Sequence, residues 1–157
     1  MARRYWLMKS EPEVFSIHDL AKAPKQTTSW DGVRNYQARN FLRDEVKAGD
    51  GVLFYHSNAD PPAVAGTATV VREGYPDATQ FDRKSNHHDP DASPEAPRWY
   101  VVDIKFESTF DRPVPLDELR EHPGLANMVL LKRSRLSVQP VTPDEWKVIT
   151  KLGKVTG

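Results

Sequence analysis

The sequence predicts an α+β domain, a small mixed β-barrel of five or six strands flanked by short helices. Three observations predict it. Short runs rich in β-branched and aromatic residues recur along the whole chain, as at 4–9, 52–56, 63–72 and 98–110. The segments between them are mostly irregular, not the regular crossover helices of a doubly wound sheet. The helix signals are brief and capped. At 157 residues the chain is read as one domain, 1–157.

The elements follow in order. Arg4–Lys9 reads as a strand built on Tyr5, Trp6 and Leu7, and Pro12 blocks its continuation. Ser16 caps a short helix, Ile17–Lys22, with Asp19 in the place of a capping-box acid, and Pro24 ends it. Trp30-Asp31-Gly32 is a turn signal before a helix over Val33–Val46. After the Gly49-Asp50-Gly51 turn, Val52–His56 is a strand with Val52, Phe54 and His56 on one side and Leu53 and Tyr55 on the other. Ala63–Arg72 is a third strand, in which Gly66 signals a bulge or a close backbone approach.

Residues 78–97 lie in a proline-rich, charged stretch, expected as a flexible surface loop. Arg98–Phe110 is expected to be the longest strand. Helical turns are read at Pro115–Glu121 and Leu125–Leu131, and a last strand at Arg135–Val138. Thr142-Pro143-Asp144-Glu145 is a capping box that opens a final helix to Leu152.

Composition narrows the function classes. With 22 basic and 22 acidic residues the chain is neutral, which argues against coating long duplexes through phosphate contacts alone. No apolar run approaches the ~18 residues of a membrane span, and the N-terminus has no apolar signal region. There is no cysteine, so thiolate metal sites and a cysteine nucleophile are excluded. A cytoplasmic protein without cofactor, membrane partner or obligate protein partner is expected.

Several residues are candidates for chemistry. Trp30 on a turn is either a buried anchor or a stacking wall for a base. Asn35, Tyr36, Gln37, Arg39 and Asn40 crowd polar groups onto one helix; they suit base edges or are simply an exposed face. Tyr55, His56 and Ser57 close a strand, where sites are often built, and His56 is either structural or a base. Arg133, Arg135 and Ser137 alternate along a strand-like stretch; they line a pocket mouth and touch phosphate, or form a solvent-facing edge. Glu11, Glu13 and Asp31 are candidate acids without a recognisable catalytic pairing. His87-His88-Asp89-Pro90-Asp91 has a metal-like composition, but adjacent side chains seldom converge on one ion, and no metal site is assigned.

Tyr5-Trp6-Leu7-Met8-Lys9-Ser10-Glu11-Pro12 resembles the opening motif of EVE-domain proteins, and the eleven residues from Trp30 to Asn40 resemble that family's most recognisable stretch. Similar stretches recur at Tyr55–Asn58, Glu73–Asp77, Trp99–Asp103 and Arg135–Val141, so the resemblance covers nearly the whole chain. It implies a PUA-like fold related to YTH domains, and a reader of a modified cytosine or adenine in DNA or RNA that is not an enzyme. By that resemblance Trp30 is the stacking wall and Lys9 and Ser10 lie at the pocket floor. Asn35 and Tyr36 lie beneath, Tyr55, His56 and Ser57 form the opposite wall, and Arg135 and Ser137 lie near the rim. Relatives often carry aromatic residues where this chain has His87-His88. Without the long basic N-terminal extension of eukaryotic members, the chain resembles a stand-alone bacterial one. The competing functions are a sensor of a free nucleobase or nucleotide and a nucleotide-processing enzyme using His56, Glu11 and Asp31.

Overall fold

The computed structural model describes residues 3–133 and 136–153. Six strands form one mixed sheet: β1 (Tyr5–Ser10), β2 (Thr27–Ser29), β3 (Gly51–His56), β4 (Ala63–Pro76), β5 (Tyr100–Pro115) and β6 (Val138–Val141), in the order β2-β5-β4-β3-β1-β6. The β1–β3 pair is parallel and the other pairs are antiparallel. Among the described residues five short α-helices flank it: α1 (Ile17–Lys22), α2 (Tyr36–Asn40), α3 (Leu116–Glu121), α4 (Val129–Lys132) and α5 (Pro143–Leu152). This is the small α+β fold that the sequence predicts.

The apolar runs YWLM and VLFY mark strands buried on both faces. Trp6, Met8, Val52 and Phe54 face a cluster completed by Ile17, Leu20, Trp30, Leu42 and Ile104. Leu7, Leu53 and Tyr55 face a second cluster with Val114, Leu119, Leu125, Met128 and Ile149. The sheet therefore carries a core on each side.

Both capping boxes form. Ser16 Oγ accepts from Asp19 N at 3.1 Å while Asp19 Oδ2 accepts from Ser16 N at 2.8 Å. Thr142 and Glu145 make the same reciprocal pair at the start of α5. Gly66 lies close against β5; a Cβ there would clash with the Ser108 carbonyl oxygen, and the register shifts beside it.

Several boundaries differ from the sequence reading. The expected helix 33–46 begins only at Tyr36, because the Asn35 side chain accepts from Ala38 N and caps it there; it continues as a π-helical turn over Phe41–Glu45. Among the described residues the last strand is Val138–Val141; of the expected Arg135–Val138, Leu136 and Ser137 precede it and Arg135 lies outside the described residues. The strand accommodates Pro140 because β6 is a sheet edge, where a missing N–H is tolerated. β2 has three residues and too short a pattern to recognise from sequence.

Gln80 links the two ends of the 78–97 segment. The buried Gln80 amide donates to the carbonyls of Asp77 and Trp99 and accepts from the backbone N–H groups of Arg98 and Trp99. Its own carbonyl accepts from Asp89 N.

Candidate nucleobase pocket

A cavity of about 590 Å³ opens at the C-terminal end of β1, within the range of small-ligand sites. Thr28 and Ser29 from β2 and Ser137, just before β6, all line it. It therefore sits where the two edges of the sheet approach one another.

One wall is the Trp30–Arg34 segment. Trp30 N donates to Val102 O at 2.8 Å, which hangs this segment on the start of β5. The Trp30 ring meets Phe54 edge to face at 5.3 Å and is only 7% exposed. It is thus both a core anchor and, along one remaining strip, a pocket surface. It joins the two alternatives left open by the sequence, and an alanine there would remove core packing as well as pocket surface.

Gly32 follows with φ +78°, a conformation that favours glycine. Its N–H donates to Asp77 Oδ2 at 2.9 Å, and the His87 ring lies against it so closely that a Cβ would be 2.8 Å from Nε2. Arg34 donates to Asp77 Oδ2 at 3.1 Å, to Thr79 Oγ1 and to the His87 carbonyl. Its guanidinium also covers Trp99 at 5.2 Å. Arg34 and Asp77 together bring His87 into the pocket wall.

The other wall is the end of β1 and the turn after it. Ser10 Oγ donates to Phe15 O at 2.6 Å, which leaves the hydroxyl oxygen as an acceptor. Phe15, Glu11 and Val14 complete this side.

The charges here are tuned by burial. Burial and the nearby Asp77 carboxylate push the Asp31 carboxyl above the usual aspartate range, against His87 and Arg34, which pull it down. Burial alone would raise Asp77, but hydrogen bonds from Thr79, Gly32 and Arg34 outweigh it and hold the carboxyl low. Burial lowers Lys9 from the usual lysine value.

Of the residues expected at the site, Lys9, Ser10, Trp30 and Ser137 line this cavity. Tyr55 and Ser57 line a second one of about 580 Å³ that shares Lys9, Ser10, Glu11 and Ser137 with the first. His56 lines neither. Its Nε2 accepts from Ile17 N at 3.1 Å and its ring packs edge-on to Phe54, so it seats α1 on the sheet. Burial lowers its pKa, favouring the neutral ring.

Asn35 is the cap of α2 and not a pocket group. Tyr36 is 52% exposed and stacks on Trp99 at 4.9 Å, outside both cavities. Arg135 lies outside the described residues.

Asp31 and Glu11 stand in the sequence only as unpaired acids, and Gly32 and Arg34 are not singled out as wall residues there, although the Trp30-Asp31-Gly32 turn was the available signal. His87 is marked only by standing where relatives often carry aromatic residues. The metal-like run does not converge: His87 turns onto Gly32 while Asp89 accepts from the Trp99 indole at 2.6 Å. No group of metal-ligating side chains forms among the described residues.

A six-stranded mixed sheet flanked by short helices is the small α+β fold expected above. The YTH domain of Zygosaccharomyces rouxii MRB1 shares it at a TM-score of 0.55 and 14% identity over 99% of this chain and 89% of that one, a likeness of fold alone. The chain belongs to the EVE domain family, whose pattern it matches over residues 4–152. It is 47% identical to human thymocyte nuclear protein 1 over 94% of this chain and 73% of that protein. The crystal structure of human THYN1 protein in complex with 5-methylcytosine-containing DNA superposes with a TM-score of 0.92 at 46% identity, covering 98% of this chain and 99% of that one. A Pseudomonas putida protein is 47% identical with a TM-score of 0.89, over 95% and 99%. Relatives at this level are thus both eukaryotic and bacterial, and identity does not assign this chain to either.

Proposed function

We propose that this protein is a non-catalytic reader that takes a single modified base of DNA, foremost a modified cytosine, into the Trp30 cavity. The observation that carries the reading is the complex of 5-methylcytosine-containing DNA with a relative of nearly the same fold. The chemistry of the cavity agrees with it.

The open strip of Trp30 offers a stacking surface, worth roughly 1–3 kcal/mol per base. Asp31 is an acceptor suited to an exocyclic amino group, which cytosine and adenine carry and thymine lacks. Ser10 adds a second acceptor. A buried methyl group adds about 0.8 kcal/mol, roughly a fourfold preference. Turning the base out of its stack costs a few kcal/mol, so single-stranded or distorted sites are favoured.

The absence of catalysis is part of the proposal, and one feature favours it. The acceptor nitrogen of His56, the candidate base, is already engaged by Ile17 N–H.

The test is a titration followed by tryptophan fluorescence. Short DNA and RNA strands carrying one 5-methylcytosine or N6-methyladenine are compared with unmodified strands and with free modified nucleosides. Tighter binding of the modified DNA supports the reading. Equal affinity for modified and unmodified strands overturns it. A free nucleoside binding as tightly as the strand makes the protein a small-molecule sensor instead.

A further inference from the structure

We propose that the second cavity is a subsite for the nucleoside next to the turned-out base, so that the protein engages two adjacent nucleotides and reads strand direction. The inference rests on the base-pocket reading above and extends it.

The two cavities are neighbours by construction. The end of β1 forms the wall between them: Lys9 N donates to Ser137 O at 3.0 Å, and Ser10 O accepts from Ser57 N at 2.9 Å. Lys9, Ser10, Glu11 and Ser137 face both spaces. A partition held by backbone hydrogen bonds on either side keeps the two spaces at a fixed separation. A nucleotide joined by one phosphodiester to a base in the first cavity would reach the second.

The far side of the second cavity offers hydrogen-bonding groups that the fold does not use. Among the described residues, no hydrogen bond engages the Tyr55 hydroxyl, the Ser57 hydroxyl or the Asn58 amide side chain. All three line the groove, with the Pro62 ring as an apolar surface beside them. Tyr55 is otherwise buried in the second core, so its hydroxyl is held on a fixed ring. Fixed hydroxyls and an amide match the sugar and base edges of a nucleoside, which present neutral donors and acceptors. The groove lies on one side of the base pocket, so only one neighbour of the turned-out base, 5′ or 3′, can occupy it.

The experiment uses Tyr55→Phe/Ser57→Ala, which keeps the buried ring, with circular dichroism as the check on folding. The probes are 5-methyl-2′-deoxycytidine and the two dinucleotides that place one unmodified neighbour on its 5′ or its 3′ side. In the wild-type protein one dinucleotide, and not the other, is expected to bind about tenfold more tightly than the nucleoside, the effect of two ordinary neutral hydrogen bonds. The double variant is expected to lose that gain while binding the nucleoside as the wild type does. A gain that survives in the variant, or is equal for both neighbours, overturns the subsite and leaves the base pocket standing. Failure of all three probes to bind the wild-type protein overturns the base-pocket reading, and the subsite with it.

Discussion

Asp50 and Asp77 are both buried carboxylates, at 4% and 1% exposure, yet they organise different things. Asp50 accepts from Arg4 N, from the Trp6 indole at 2.9 Å and from Lys47 N, joining β1 to the turn before β3. These partners are scaffold, and Trp6 continues into the core against Phe41. Asp77 accepts from Gly32 N, from Thr79 N and Oγ1, and from the Arg34 guanidinium. Two of those residues, Gly32 and Arg34, line the cavity. The same chemical device, a buried acid gathering N–H donors, fixes a strand junction in one place and a binding wall in the other. The difference lies in what the donors are attached to.

That comparison is broken most directly at the carboxylates. Asp77→Ala is expected to cost about 3–5 kcal/mol of stability, since it leaves the buried side of Arg34 without its counter-charge. Asp50→Ala is expected to cost less, about 1–3 kcal/mol, mainly for the stranded Trp6 N–H. Denaturant unfolding measures both. Oligonucleotide titration of the folded variants then sharpens the contrast: affinity falls in Asp77→Ala and stays in Asp50→Ala. Equal losses of affinity would erase the distinction.

A smaller effect concerns Trp30. Because it belongs to the core, alanine there is a poor probe. Trp30→Phe keeps an aromatic ring in place, and is expected to weaken base binding by about 1 kcal/mol, roughly fivefold, through its smaller stacking surface. An unchanged affinity would remove Trp30 from the site.

The acid limb of stability offers a further test. Asp77 has a folded-state pKa below its unfolded value of about 3.9. Its stabilisation is therefore complete above that unfolded value and is lost as pH falls through the lower folded one. Asp77→Asn should flatten this part of the stability–pH profile, whereas a profile unchanged from wild type would contradict the assignment.

The smallest expected effect is at Asp31, whose pKa is raised by burial and by Asp77. As pH falls through that raised value the carboxyl gains a proton and loses acceptor capacity. Affinity for an amino-bearing base should then drop by a few-fold, the worth of one hydrogen bond. Asp31→Asn should remove this pH dependence, measured by the same titration.

The site was only partly legible in the sequence. Lys9, Ser10 and Trp30 fall in the two stretches that resemble the family, and they do meet across the cavity. Tyr55 and Ser57 were placed near it but face the neighbouring groove, since β1 comes between. The resemblance puts Asn35 and Tyr36 beneath the pocket; in the structure Asn35 caps α2 and Tyr36 stacks on Trp99, outside both cavities. His56 had the composition of a catalytic group and the surroundings of a structural one.

What the sequence by itself determined is local. Both capping boxes join residues three apart, and the apolar runs of β1 and β3 need only their own composition to be recognised as strands. The tertiary structure decided which distant groups meet. Gly32 and Asp77 are 45 residues apart, and the same carboxylate holds the arginine that draws His87 into the wall. Such pairings depend on how the sheet brings its two edges together and on burial that makes an unpaired carboxylate costly. Neither is written in the residues adjacent to any one of the partners.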